Sequence, residues 1–185
     1  MKNLTTWSID PMHSEVLFKI KHLVISTVTG SFRKFDGTVV SEGDDFNNAK
    51  LKFVIDVKSI DTNQSQRDGH LRSGDFFAAD QYPEITFEST SFVKKGGSDY
   101  KMAGNLTMRG VTKPVELNVE YGGSEDNGHG VIKHGFEVTG TINRMEFGMT
   151  WNKLTDTGGL GLGEDVKLVA NIQIAKLVEA AVETA

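Results

Sequence analysis

The residues able to do chemistry are few and badly grouped for it. Asp10, His13 and Ser14 supply the side-chain types of a hydrolytic triad within one short stretch. A nucleophilic serine needs a strained elbow that exposes its hydroxyl, as in G-x-S-x-G, and none surrounds Ser14; neighbours along an extended chain also point to opposite faces. The 5 His are scattered without an H-x-H or H-E-x-x-H pair, so metal-ligand spacing is lacking. The chain has 0 Cys, which excludes thiolate zinc sites, iron–sulfur clusters, disulfides and a cysteine nucleophile. The run Gly158-Gly159-Leu160-Gly161-Leu162-Gly163 imitates a dinucleotide loop, but Val166 to Ile174 behind it alternates as a strand where such a loop must open a helix. No catalytic residue, metal site or cofactor is expected.

Two groups of polar residues remain. Arg67, Asp68, His70 and Arg72 cluster in a stretch rich in helix formers, where capping and internal ion pairs account for them. His22 shares parity with Phe18 and Ile20, and Arg144 shares parity with Phe136, Val138 and Ile142. Both should therefore point inward near strand ends, where a polar group must find a partner. They are either head-group anchors at the mouth of a pocket or structural bonds that close the fold.

What must position these residues is a set of strands. Period-two alternation places Val16, Phe18 and Ile20 on one face and Lys19 and Lys21 on the other. Leu51, Phe53, Ile55 and Val57 oppose Lys50, Lys52, Asp56 and Lys58 in the cleanest run. Ile85 and Phe87, then Met102, Leu106 and Met108, then Val115 to Tyr121, Phe136 to Ile142 and Val166 to Ile174 repeat the pattern. Turn signals separate them, among them Asp36-Gly37, Gly96-Gly97, Arg109-Gly110, Gly122-Gly123 and Gly158 to Gly163. Short links join antiparallel neighbours, so the sheet should be a meander. One long connection is expected, Thr62 to Tyr82, with a short helix over Gln64 to Ser73 anchored by Leu71 and Phe76 or Phe77. The tail, Leu177 to Ala185, should form a terminal turn of helix. About eight such strands make a sandwich or a closed barrel, and meander connectivity favours an antiparallel up-and-down barrel. Barrels of this strand number either fill their interior or hold one small ligand.

The size, 185 residues and 20.3 kDa, suits one such domain over residues 1–185. A net charge of -5 and a pI near 5.5 provide no basic footprint for nucleic acid. No run of 18 apolar residues offers an integral membrane segment. The first residues lack a signal-peptide hydrophobic region, so the chain as given is expected in the cytoplasm, or in the periplasm if a leader is removed.

Several ordered blocks carry a resemblance. Trp7-x-Ile9-Asp10-x-x-His13-Ser14-x-x-x-Phe18-x-x-x-His22 is followed by Val28-x-Gly30-x-Phe32-x-x-Phe35-x-Gly37. Ile60-Asp61-Thr62, Arg67-Asp68-x-His70-Leu71-Arg72-Ser73-x-Asp75-Phe76-Phe77 and Tyr82-Pro83-x-Ile85-x-Phe87-x-Ser89 come next. Gly104-x-Leu106-Thr107-x-Arg109-Gly110-Val111-Thr112-Lys113-Pro114-Val115 and Asn143-Arg144-x-x-Phe147-Gly148-Met149 close the series. From about Trp7 to Ala175 the chain resembles the YceI-like family, the polyisoprenoid-binding, lipocalin-like barrels of bacteria. It departs at Ala78 and Glu146, where the family often has Asp. The resemblance implies an elongated barrel that binds or transports a polyisoprenoid, an isoprenoid quinone or a fatty-acid derivative. It implies no catalytic residues, and it implies pairing into a homodimer.

The inward positions then become candidate ligand contacts: Phe18, Ile20, His22 and Phe32; Phe53 and Ile55; Phe87; Met102, Leu106 and Met108; Leu117; Phe136, Val138, Ile142 and Arg144; Leu168 and Ile172. Each apolar one is either pocket lining or plain core. Three functions are open: a non-catalytic carrier of a hydrophobic chain, an enzyme using the same cavity, and a stress-related structural protein whose barrel is filled.

Overall fold

Alternating faces close into a ring when the last strand meets the first. The computed structural model describes residues 2–159 and 161–177. Its strands are β1 (Leu4–Ile9), β2 (Glu15–His22), β3 (Ser26–Phe32), β4 (Phe35–Glu42), β5 (Asp45–Asp56), β6 (Ile60–Asp61), β7 (Glu84–Gly96), β8 (Asp99–Met108), β9 (Val111–Asp126), β10 (Ile132–Asn143) and β11 (Leu162–Lys176), with one helix, α1 (Ser65–Arg72). The sheet runs β1-β4-β5-β7-β8-β9-β10-β11, and β1 pairs back onto β11. This is a closed antiparallel barrel of 8 strands. The extra strands are halves of bent ones. β2 pairs with β3 while β1 pairs with β4, so β1 and β2 form one strand broken at Asp10 to Ser14, and β3 and β4 form its neighbour, broken at Arg33 and Lys34. β6 continues β5 after a 3-10 turn, Val57–Ser59, and pairs with the end of β3.

The first bend has a chemical cause. Pro11 opens a 3-10 turn, Pro11–His13, and the Asp10 carboxylate caps it by accepting the Met12 N–H at 3.1 Å. The same carboxylate accepts from Lys133 Nζ at 2.5 Å and lies 2.8 Å from His13 Nδ1. Lys133, and then His13, hold the Asp10 carboxyl down at about 2 against an ordinary 3.8. Its folded value lies below the unfolded one, so its stabilisation is complete above about pH 4 and is lost as the pH falls through about 2. At roughly 1.4 kcal/mol per pH unit this is at most about 2 kcal/mol. Asp10→Asn should cost up to that much at pH 7 and flatten the acid limb of the stability curve between about pH 4 and pH 2. Urea melts at stepped pH read both, and an acid limb identical to the wild type would assign the linkage elsewhere.

Register fixes which faces are inside. Phe53 stands opposite Phe87, and Lys52 opposite Glu88. Phe53 stacks on Phe35 at 5.8 Å within the apolar interior, whereas Lys52 Nζ is outside, 4.0 Å from Glu88. Phe53→Asp should therefore cost about 2–3 kcal/mol by setting a carboxylate on an apolar wall. Lys52→Asp should cost under about 1 kcal/mol, a surface repulsion with Glu88. Equal melting temperatures for the two variants would mean the register is displaced by one residue.

The register of β7 against β8 shifts twice, between Ser89 and Ser91 and between Lys94 and Gly96. The first shift moves the buried parity from Ile85 and Phe87 to Phe92, as a bulge does.

The expectation of a single long connection is corrected. Thr62 to Tyr82 is one, with α1 inside the expected stretch, but residues 148–161 form a second between the 3-10 turn Arg144–Phe147 and β11. Both cross the same end of the barrel. The Arg109 guanidinium ties them, donating to the carbonyls of Gly74 and Gly148. The helical turn expected over Leu177 to Ala185 lies outside the described residues, apart from Leu177 itself. Among those described, no helix is long and apolar enough to cross a membrane.

Candidate functional site

The barrel encloses a cavity of about 760 Å³, within the range of small-molecule sites. Its lumen is open, so side chains do not fill the barrel as the structural reading required. Along β11 it is bordered from Leu162 to Ile174, roughly 40 Å of strand at about 3.3 Å per residue. Strand tilt shortens that to an axial length on the order of 30 Å, about twice one leaflet of a bilayer core.

Large residues line the lumen without blocking it because they lean against glycines. A Cβ on Gly30 would lie 2.2 Å from Cζ of Phe18, its cross-strand partner, and one on Gly104 would lie 2.4 Å from Cζ of Phe87. Each ring thus occupies the place of the missing side chain on the adjacent strand. Phe18 and Phe87 lie along the wall, and the lumen stays empty beside them.

One end is stoppered by aromatic rings. Phe46, at the start of β5, packs on Trp7, His134 and Phe136 at 5.6, 5.0 and 5.1 Å. Trp7 Nε1 donates to Ser41 Oγ at 2.7 Å, and Tyr121 Oη meets His134 Nδ1 at 2.7 Å. Burial holds His134 below the usual histidine range, against a weaker opposing pull from Asp44. Its Nε2 is buried without a hydrogen-bond partner.

Every polar side chain on the cavity wall lies at the other end: His22, Arg67, His70, Arg144, Lys153, Thr155 and Asp156. This end is the mouth. It is covered by Leu71, Phe76 and Phe77 from the α1 connection and by Trp151 and Leu154 from residues 148–161. His70 anchors the two covers to each other, edge-on to Phe76 at 5.0 Å and to Trp151 at 4.7 Å.

Arg144 is 2% exposed and holds this end together. It stands in the 3-10 turn after β10, stabilised where the Asn143 side chain caps Met145 N. Its Nε donates to Gly163 O at 2.7 Å, its Nη1 to Met149 O at 2.5 Å and Trp151 O at 2.9 Å, and its Nη2 to Leu162 O at 3.4 Å. No carboxylate is among these partners. Burial lowers its pKa, with Glu164 pulling the other way, yet a guanidinium stays charged in proteins. Of the two expected roles, the carbonyl bonds show the structural one. Arg144 also borders the cavity.

All positions picked out as inward-facing border the cavity, from Phe18 on β2 to Ile172 on β11. His22 does so as an exposed residue of the rim, and Arg144 from a turn that begins where its strand ends. Sequence reasoning missed Phe46, Phe92, Met149, Trp151 and Leu154, which also border it. Phe92 is hidden by the bulge, and Trp151 and Leu154 sit in a connection without periodicity.

The other candidates form no site. His13 does contact Asp10, but the Ser14 hydroxyl is directed to Gln173 O at 3.5 Å. Asp68 accepts from Thr62 N and Oγ1 at 2.8 and 2.5 Å, Arg67 donates to Thr62 Oγ1 and O at 2.7 and 2.6 Å, and His70 Nε2 pairs with Asp75 at 2.9 Å. Arg67, Asp68 and His70 of the helix cluster are thus bonded within their own connection, while Arg67 and His70 also border the cavity. Among the described residues no group of three His, Cys, Asp or Glu could hold a metal ion.

Known proteins share this architecture. The family model described as the YceI-like domain matches residues 7–174. A UPF0312 protein of Staphylococcus aureus (strain USA300) is 40% identical over 173 residues, 93% of this chain and 98% of that protein. The crystal structure of a Campylobacter jejuni YceI protein superposes with a TM-score of 0.74 at 34% identity, covering 87% of this chain and 91% of that one. A polyisoprenoid binding domain from Saccharophagus degradans has a TM-score of 0.66 over 94% of this chain and 99% of its own. At 17% identity, that last likeness concerns the fold.

Proposed function

The chain belongs to the YceI-like domain family, and from that premise we propose that it binds a long-chain hydrophobic molecule in the barrel and performs no chemistry on it. The observation that carries this is the polarity of the cavity: about 760 Å³ of apolar lumen with every polar wall residue gathered at one end. That layout suits an amphiphile with one long apolar tail and one polar head. Burying about ten methylenes gains roughly 8 kcal/mol, less several kcal/mol for lost freedom, so ten methylenes alone bind more weakly than micromolar, and a longer tail or a polar contact adds the rest.

The tail would be a polyisoprenoid, the prenyl chain of a quinone or a fatty acyl chain. The Saccharophagus degradans domain is described as polyisoprenoid binding, and a lumen about two leaflets long is compatible with a prenyl chain. The head would carry hydrogen-bond acceptors, because Arg67 and Arg144 are among the residues that border that end. Against an enzyme, the acid and base groups that border the cavity among the described residues, His22, His70, Lys153 and Asp156, lie at the mouth and not in the apolar lumen.

Extraction of the purified protein with organic solvent, followed by mass spectrometry, should release an amphiphile with a long apolar tail. No recovered lipid, together with no binding of a fluorescent fatty-acid probe by the emptied protein, would overturn the proposal.

A further inference from the structure

The hairpin tip between β2 and β3 breaks two rules at once. Leu23, Val24 and Ile25 are 45%, 76% and 88% exposed, three apolar side chains in a row facing water. Leu23 and Val24 also have left-handed backbones, at φ 52 and φ 66. That conformation is costly for any residue with a Cβ and most of all for a β-branched one, and hairpin tips that need it use Asn and Gly. A polar, unstrained sequence was available for this turn, and the chain carries its opposite.

The tip is built into the mouth. Leu23 N donates to Gly161 O at 2.8 Å, and Gly161 N donates to Lys153 O at 2.7 Å, so the tip, the start of β11 and the second cover are laced together. Leu154, 68% exposed, lies next in that cover. Leu23, Lys153 and Leu154 all border the cavity. The exposed apolar rim is therefore continuous with the opening.

We propose that Leu23, Val24, Ile25 and Leu154 dock the mouth onto an anionic phospholipid bilayer, from which the hydrophobic molecule is taken. This rests on the reading of the barrel as a binder of such a molecule. Cations stand beside that surface: the chain is at -5 overall, yet Lys21 and Lys153, both exposed, flank the tip and Leu154, set against Asp156 and against Glu164 and Asp165 in the β11 bulge across from Lys21. Size fits as well. Four side chains fall far short of the roughly 1,000 Å² that a stable protein interface buries, whereas shallow apolar insertion beside cations holds a protein reversibly on a bilayer. In hydrocarbon the exposure of the tip ceases to be unfavourable, which accounts for a strained turn kept apolar.

Flotation with vesicles of phosphatidylcholine, and of phosphatidylcholine with phosphatidylglycerol, tests this against Val24→Gly/Ile25→Ser, a variant that spares the cavity wall. The wild type should float with the mixed vesicles, less at high salt, and the variant should bind them at least about tenfold more weakly. Its melting temperature should equal or exceed that of the wild type, because glycine relieves the strain at position 24. Binding of a fluorescent fatty-acid probe in vesicle-free solution should be the same for both. A wild type that stays off both vesicles, or a variant that floats equally well, overturns the docking role and leaves the binding reading intact. A wild type that binds no probe overturns the binding reading, whatever the vesicles do. Self-association of the wild type that is lost in the variant would instead assign the tip to a second copy of the chain.

Discussion

Arg144→Met is expected to lower the stability of the barrel by about 3–5 kcal/mol, the scale of a broken buried polar network. The substitution keeps the length and apolar stem of the side chain and removes the donors that serve Met149, Trp151, Leu162 and Gly163. Leu162 O keeps the Asn152 amide at 2.7 Å, but the carbonyls of Met149, Trp151 and Gly163 lose these donors at the junction of the second cover and β11, and water entering from the mouth can satisfy only some of them. Arg144→Lys should fall between, since an ammonium has three donors and no fork to span the four acceptors. Urea melts give the stability. Titration with a fatty acid and with a bare hydrocarbon probe then separates architecture from charge: loss of the covers weakens both ligands, whereas loss of the guanidinium alone weakens only the carboxylate. A melt unchanged from the wild type would mean that the carbonyl bonds are dispensable.

Gly104→Val should weaken binding of an apolar probe by more than about tenfold while leaving the protein folded. A Cβ at this position would sit 2.4 Å from Cζ of Phe87 and 2.6 Å from the Glu88 carbonyl, so the ring must leave its place. The empty lumen is where it can go, and there it displaces ligand. The cost to folding should be about 1–3 kcal/mol, as for other overpacked interiors. Adding Phe87→Ala should restore binding, a compensation measurable as a coupling in the double-mutant cycle. Equal affinity in the wild type and Gly104→Val would contradict a lumen kept open by this glycine.

Much of the fold was legible because a half-buried antiparallel strand writes its register into the sequence. Leu51, Phe53 and Ile55 mark β5, with Val57 just beyond it in the 3-10 turn; the turns at Gly43, Gly97 and Gly110 make the hairpins of a meander, whereas Asp36-Gly37 lies within β4 and Gly122-Gly123 within β9, where the expected turns are corrected to strand. α1 announced itself by the break in alternation after Thr62. What was not legible depends on neighbours distant in sequence. That Phe18 lies over Gly30 and Phe87 over Gly104 follows from cross-strand register, and nothing local distinguishes an open lumen from a filled one. The β7 bulge moves Phe92 inward by a shift that only pairing with β8 reveals. The turn at Leu23 to Ile25 carries no turn residues at all, so its sequence reads as a continuing apolar run. Arg144 was placed inward by a parity that ends one residue before it; the 3-10 turn brings it in by another route.

Among the described residues, the aromatic stopper built from Trp7, Phe46, Tyr121 and His134 closes one end of the barrel and leaves the opening at the other. Under the proposed binding role, a molecule that enters tail-first would leave head-first through the same opening, so two reservoirs would not be joined through the protein at once. Exchange between a donor and an acceptor would then proceed by turns, the barrel leaving one before meeting the other. Transfer rates measured against both concentrations should give the parallel reciprocal plots of a substituted mechanism, and a second opening cut through Phe46 and Trp7 should make the lines converge.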